Sequence, residues 1–170
     1  MKQVLVKGGK VQIEDVPPPA LLPNGALVRV HASLISSGTE SGFVSQGGTA
    51  SFVMKKAKDP LNVEKVKRKF ASVGLRGTID IVKNKLFEFQ APGYSTSGTI
   101  VEVGPELEGF RVGDRVACSG VGYASHAEYN TVPQNLLTPI PDGVDFHEAA
   151  FVTLGAIAMQ GCRQLHSTFG

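Results

Sequence analysis

Residues 92–104 read PGYSTSGTIVEVG: a Pro-Gly turn, a run of small and hydroxylated residues, and a short strand that ends at Gly104. The chain downstream continues in the same way, because RVACSG, SHAEYNTV and LLTPIP have the composition of further short strands. Gly113 and Asp114 supply the turn before RVACSG. We therefore predict that this half of the chain is built mainly from β-strands.

The first thirty-odd residues predict three more strands. Two short alternating runs, residues 4–6 and 11–13, flank the Gly8-Gly9 pair, which is typical of a β-hairpin. The segment PPPALLPNGA interrupts any regular structure, and LVRVHASLI then resumes as a strand. The small residues of SSGTESG, which follow, predict a loop.

Residues 43–90 differ from the rest of the chain in charge and periodicity. Between Lys55 and Glu88 there are ten Lys or Arg against four Asp or Glu, and apolar residues such as Val63 and Phe70 recur at helical spacing. We predict a basic helical insertion here. Its lysines either form a solvated face over an apolar stripe or bind phosphate or a partner, and both interpretations stay open.

Residues 145–165, DFHEAAFVTLGAIAMQGCRQL, have the Ala, Leu and Met content of a helix. Asp145 is suited to be the N-cap, and Glu148 three residues later completes a capping-box pattern. We predict one helix over this range.

Composition sets the class of protein. A chain of 170 residues with 42% hydrophobic residues can form the core of one domain, and 20 Gly with 10 Pro favour a mainly β fold with some helices, the α+β class. The net charge of +2 gives no reason to expect nucleic acid or a membrane as partner. Two distant cysteines and the lack of a long apolar run predict a protein of the reducing cytoplasm.

Several pieces of this sequence resemble, in order, one known family. They are LVRVHASLISSGTESG, PGYSTSGTIVEVG, FRVGDRVACSG, HAEYNTVPQNLLTPIPDGV and EAAFVTLGAIAMQ. They are similar to the catalytic half of the medium-chain alcohol dehydrogenase and quinone reductase superfamily, which is a GroES-like β-barrel. The closest resemblance is to its zinc-less, bi-domain dehydrogenase-like oxidoreductases.

The resemblance implies a domain organisation. Residues 1–170 would form a GroES-like substrate domain with the basic insertion at 43–90, and the helix at 145–165 would lead towards a Rossmann cofactor domain. The chain has no G-x-G-x-x-G turn, so we expect that cofactor domain to be absent and the chain alone to bind NAD or NADP weakly or not at all. Relatives commonly form homodimers through the cofactor domain.

The resemblance also identifies the positions where zinc-dependent relatives carry metal ligands. Here they read Ser37-Gly38-Thr39-Glu40 and Gly93-Tyr94-Ser95. Neutral hydroxyl groups bind zinc poorly compared with a thiolate or an imidazole, so we predict no zinc. A substitute site from His31, His126, Glu40 and Cys118 lacks ligand spacing.

Without a metal, a hydride-transfer enzyme must stabilise the developing oxygen charge by hydrogen bonding, or use a substrate whose electronics already accept hydride. We therefore predict Tyr94 as a catalytic proton or hydrogen-bond donor, assisted by Ser37. Thr39, Glu40 and Ser95 are predicted to contact the substrate. The alternative for Tyr94 is a buried aromatic whose hydroxyl is bonded to the backbone, and for the residues of SSGTESG it is turn formation.

Thr153 lies in the segment that resembles the helix leading to the cofactor domain. Its hydroxyl is predicted to bond the nicotinamide carboxamide; the alternative is a bond back to a preceding carbonyl of its own helix.

The function that we predict is the substrate-binding half of a zinc-independent, NAD(P)(H)-dependent oxidoreductase that acts on a carbonyl or alcohol and is inactive without its cofactor domain. Whether the chain alone is an enzyme stays open. The alternative is a non-catalytic GroES-like module that binds a partner through the basic insertion. The residues of that surface would be Lys55, Lys56, Lys65, Lys67, Arg68 and Lys69.

Overall fold

The computed structural model describes residues 1–7, 9–46 and 89–165. Most of the predicted basic insertion therefore lies outside the described residues. The chain divides into two compact units, one formed by Met1–Val4, Ile13–Ser36 and Ala91–Gly170, the other by Leu5–Gln12 and Ser37–Gln90. The elements in chain order are β1 Lys2–Lys7, β2 Lys10–Asp15, β3 Gly25–Ser33, α1 Ser37–Gln46, β4 Ser95–Val103, β5 Arg115–Ser119, β6 Tyr129–Pro133, a 3₁₀ turn Gln134–Leu136, β7 Leu137–Pro139, α2 Phe146–Ala149 and α3 Val152–Gln164.

A five-stranded antiparallel sheet in the order β6-β3-β4-β5-β7 forms the centre of the first unit. The prediction of a mainly β, GroES-like fold is confirmed, with the sheet curled into a half-barrel. Two register shifts in β3 against β4, at Leu27/Val28 and Val30/Ala32, bend the strand, as bulges do. At Gly98 a Cβ atom would lie 2.1 Å from the carbonyl oxygen of Arg29, so only glycine allows the two strands to approach this closely.

The inner face of this sheet carries the main core. Its side chains alternate with those of the outer face along each strand, as the period of two requires. Its largest fully buried members are Val28, Ile100, Val116, Cys118 and Val132. A smaller apolar cluster on the outer face joins β5 to the helical segment through Ala117, Ile140 and Ala149.

The hairpin predicted at the N-terminus is confirmed as β1 and β2. The prediction of a loop over SSGTESG is wrong, because Ser37 begins α1. A glutamate in the first turn, Glu40, favours that helix end through its charge. The apolar periodicity from which helices are recognised is weak here, since Gly and Ser dominate the segment.

The helical segment near the end of the chain is two helices, and the prediction of one helix over 145–165 is wrong at this point. The capping box is confirmed: Asp145 Oδ1 accepts from the Glu148 backbone N–H at 2.8 Å, and Glu148 Oε2 accepts from the Asp145 N–H at 3.0 Å. The helix breaks at Ala150 and Phe151, where the carbonyl of Ala150 accepts a hydrogen bond from a strand side chain. No helix in the described ranges is both long and apolar enough to span a bilayer.

Candidate active site

Tyr94 lies immediately before β4, at the end of the sheet where β5 finishes. Its carbonyl accepts the Gly120 N–H at 2.9 Å and the Thr153 hydroxyl at 3.3 Å, so its backbone is held from two sides. The side chain is half-buried, and within the described ranges its phenol oxygen makes no hydrogen bond. The alternative of a phenol tied to a backbone group is therefore not what the structure has, and the donor role of Tyr94 stays a prediction.

Ser95, the first residue of β4, is completely buried. Its hydroxyl donates to the Ala150 carbonyl at 2.7 Å and accepts the Thr153 backbone N–H at 3.4 Å. The Ala150 carbonyl at the helix break therefore has a hydrogen-bond donor, as buried polar groups generally require. This burial argues against the predicted substrate contact of Ser95, since its donor is already used.

Thr153 stands in the first turn of α3 and contacts the sheet. Besides the bond to the Tyr94 carbonyl, its Oγ1 lies 2.8 Å from Ser119 Oγ. The Thr153 hydroxyl therefore does not donate to a preceding carbonyl of its own helix, which was the alternative interpretation. The bond to a nicotinamide carboxamide stays a prediction and would have to use the remaining acceptor capacity of this hydroxyl.

A fourth hydroxyl completes this set: Ser97 donates to the Phe146 carbonyl at 2.5 Å. We call Ser95, Ser97, Ser119 and Thr153 the hydroxyl cluster. It connects β4 and β5 to α2 and to the beginning of α3. Ser97 and Ser119 were not predicted from the sequence. Strand alternation places both on one face of the sheet, but their partners lie 49 and 34 residues away in the chain.

Ser37, Thr39 and Glu40 belong to the other compact unit, in the first turn of α1. The side chains of Ser37 and Thr39 are exposed and that of Glu40 is half-buried. Thr39 and Glu40 both have interaction partners. The roles predicted for these three residues, catalytic for Ser37 and substrate-binding for the other two, stay predictions.

The donors that could form a substitute metal site do not fit zinc. Burial raises the pKa of the Cys118 thiol to about 12, which disfavours the thiolate that zinc binds. His31 Nε2 lies 3.1 Å from Thr99 Oγ1, and His126 Nδ1 lies 3.0 Å from Ser33 Oγ. Across residues 1–7, 9–46 and 89–165, no three His, Cys, Asp or Glu side chains cluster as a metal site would require.

An apolar groove runs along α2 and the beginning of α3, with a volume of about 340 Å³. Its walls include Ala117, Ile140, Val144 and Val152. The one carboxylate on its rim, Glu148, is used in the capping box. The groove is therefore suited to apolar contacts and has few polar groups that could take part in catalysis.

Beyond its first turn, α3 is largely uncovered. None of its 13 residues is buried, and Leu154, Ile157 and Met159 are among the exposed apolar side chains. Phe151 and Leu165 at its two ends are exposed as well. Large apolar side chains exposed together are typical of a surface that packs against another body.

Comparisons with known proteins agree with this architecture. The alcohol dehydrogenase GroES-like domain family matches residues 65–142. In this segment the chain is similar to the GroES-like part of the medium-chain dehydrogenase and quinone reductase superfamily. A quinone oxidoreductase of Pseudomonas aeruginosa is 35% identical over 68 residues, which are 40% of this chain and 21% of that protein.

Solved structures of the superfamily share the fold. The quinone oxidoreductase of Coxiella burnetii superposes with a TM-score of 0.64 at 22% identity, over 96% of this chain and 44% of that one. A mycobacterial protein in complex with NADPH gives a TM-score of 0.65 at 20% identity, over 99% of this chain and 42% of that one. The chain thus spans less than half the length of these relatives.

Proposed function

We propose that this chain is the substrate-binding half of a zinc-independent, NAD(P)(H)-dependent oxidoreductase. In the intact protein, a Rossmann domain would bind the cofactor, and hydride would pass between its nicotinamide and a carbonyl or alcohol carbon. The quinone oxidoreductases among the relatives and the neighbour with bound NADPH support this class of reaction.

The uncovered face of α3 is the observation that carries the proposal. Phe151, Ile157, Met159 and Leu165 are each more than half exposed, which leaves apolar surface that a second domain would remove from water. The first turn of α3 is held by the hydroxyl cluster, so the helix has a defined starting point, although most of its later residues are exposed. A cofactor domain that packs on α3 would adjoin the end of the sheet where Tyr94 lies.

The cofactor would supply or accept the hydride. The residues of this chain would orient the substrate and stabilise the charge that develops on its oxygen atom. Tyr94 is suited to that task because its half-buried phenol is a neutral donor, and because two hydrogen bonds to its carbonyl fix its backbone. Ser95 stands at a position where zinc-dependent relatives carry a ligand, yet its hydroxyl is used at the helix break. This supports a reaction without zinc.

The proposal is tested with the chain joined to the cofactor domain encoded by its own gene. Oxidation of NADH and NADPH is followed at 340 nm with quinones, aldehydes and ketones, before and after dialysis against a chelator. We expect turnover that survives the chelator, and a Tyr94→Phe variant with kcat lowered about a hundredfold, the lower end of the effect of a general acid. Tyr123→Phe, at an exposed position after β5, serves as the control and should leave kcat unchanged.

Two results would contradict the proposal. Turnover that disappears with the chelator and returns with zinc would contradict zinc independence. An absence of turnover together with binding to a partner that weakens steeply with ionic strength would favour the alternative, a module that binds through the basic residues between Lys55 and Lys69.

A further inference from the structure

A second group of polar side chains lies on the outer face of the sheet, near the start of α2. The strand register pairs Arg29 with Thr99, and Thr99 with Arg115, so these three side chains form one row across β3, β4 and β5. Directly opposed residues on neighbouring strands have Cβ atoms about 4.5–5.5 Å apart. The row therefore places Arg29 and Arg115 on the two sides of Thr99.

His31 follows Arg29 by two residues in β3, so strand alternation places it on the same face as the row, beside the register shift between Val30 and Ala32. His31 Nε2 lies 3.1 Å from Thr99 Oγ1, while Nδ1 makes no hydrogen bond within the described ranges. When Nε2 accepts from the threonine hydroxyl, Nδ1 carries the proton and can donate it to a ligand.

One aromatic ring holds two members of the group in place. The Phe146 ring stacks on His31 with centroids 4.3 Å apart and planes 11° apart, and the Arg115 guanidinium lies 4.8 Å from the centroid of the same ring. Arg115 also donates to the Val144 carbonyl. Arg115 and His31 are thus held in place before any ligand arrives, which lowers the entropy cost of binding.

Among the described residues, no carboxylate forms an ion pair with Arg29 or Arg115. In the described part of the chain the ion pairs are Lys2 with Asp15 and Arg111 with Asp114, and neither includes Arg29 or Arg115. The acids of α2, Asp145 and Glu148, accept each other's backbone N–H groups. Burial, and then the charge of Arg29, hold the pKa of His31 below its ordinary value, as an uncompensated cation beside it would.

We propose that Arg29, His31 and Arg115 form a binding site for a phosphate group. The planar guanidinium of an arginine matches two phosphate oxygens at once, and an imidazole N–H adds a further donor. Arg29 is exposed, whereas Arg115 and His31 are each held by contact with the Phe146 ring. The site would take inorganic phosphate or the phosphate of a small phosphoester, and it does not depend on the proposed oxidoreductase function.

The test is an NMR titration of the isotope-labelled chain with inorganic phosphate at constant pH and ionic strength, with chloride as the balancing anion. We expect saturable shifts of the His31 ring and of the Arg29 side chain. Arg29→Gln should weaken binding about tenfold, the loss of one charge-assisted, bidentate contact. Arg111→Gln is the matched control, because this exposed arginine already pairs with Asp114, and it should leave the affinity unchanged.

Parallel titrations with glycerol 3-phosphate and with acetate separate the sources of the signal. Tighter binding of either phosphate form than of acetate supports the site and shows whether the ligand is free phosphate or a phosphoester. Shifts that rise linearly without saturation would overturn the proposal, and so would equal weakening by Arg29→Gln and Arg111→Gln, because both would indicate a general effect of charge.

Discussion

The two faces of the five-stranded sheet are covered in different ways. On the inner face, Val28, Ile100 and Val116 are at most 1% exposed and pack against other apolar side chains. On the outer face, α2 and the first turn of α3 cover only a small apolar cluster, and the hydroxyl cluster connects them to the strands. Apolar packing is nondirectional, whereas a hydrogen bond requires a particular distance and angle.

This difference separates the stability of the unit from the placement of its helices. The inner face carries the larger of the two clusters of buried apolar side chains, and apolar burial is the main stabilising contribution to folding. The outer face determines where the helices lie, because the hydroxyls of Ser95, Ser97 and Thr153 donate to particular carbonyls, those of Ala150, Phe146 and Tyr94. Substitutions on the inner and the outer face test the stability of the unit and the placement of its helices separately.

Removing a large side chain from the inner face should have the largest effect. Ile100→Ala should lower the free energy of unfolding by about 2–5 kcal/mol, because the site loses apolar contacts and retains part of a cavity. Urea denaturation measures the change. The neighbouring Val101→Ala, on the more exposed side of β4, should cost about 1 kcal/mol or less, and equal losses for the two variants would contradict the comparison.

Removing a hydroxyl from the outer face should cost less and act locally. Ser95→Ala should lower the free energy of unfolding by about 1–3 kcal/mol, since the Ala150 carbonyl loses its buried donor. Amide hydrogen exchange should become faster in α2 and the first turn of α3, with little change in the strands. Ser41→Ala, which removes an exposed bond to the Gly38 carbonyl, is the control; slower or unchanged exchange in the helices with Ser95→Ala would mean that the cluster does not hold them.

The smallest effect concerns the pKa of His31, on the part of the outer face that the helices leave exposed. This pKa lies below its ordinary value, so the folded state binds fewer protons than the unfolded one, and stability falls slightly as pH drops below about 6.5. Arg29→Gln should raise the pKa of His31, because it removes the neighbouring positive charge. A proton NMR titration of the ring measures it, and a pKa that stays the same would leave burial as the whole cause.

Local signals in the sequence predicted much of this fold. Alternating strands, the Gly8-Gly9 hairpin and the pairing of Asp145 with Glu148 depend on residues close together in the chain. The beginning of α1 at Ser37 was missed, because Gly and Ser in that segment resemble a loop. The break at Ala150 was also missed, because it depends on Ser95, which lies 55 residues away.

The candidate site was less predictable for the same reason. The resemblance identified Tyr94 and Thr153, and the structure joins them through the Tyr94 carbonyl. It did not indicate Ser119, whose hydroxyl contacts Thr153, because a serine at a strand end has no pattern of its own. The row of Arg29, Thr99 and Arg115 was invisible for a related reason: a row across strands appears only once the register is known.

Because α3 is attached near its first turn, a small tilt there moves the far end of the helix by a larger distance. With 13 residues it is about 20 Å long, so a tilt of about 5° at its first turn displaces its far end by about 1.7 Å. A displacement of that size matters to a hydride donor, since errors of about 1 Å between reacting atoms can cost a hundredfold in rate. The position of a domain attached to this helix would therefore depend on the hydrogen bonds that Thr153 makes to Ser119 and to the Tyr94 carbonyl.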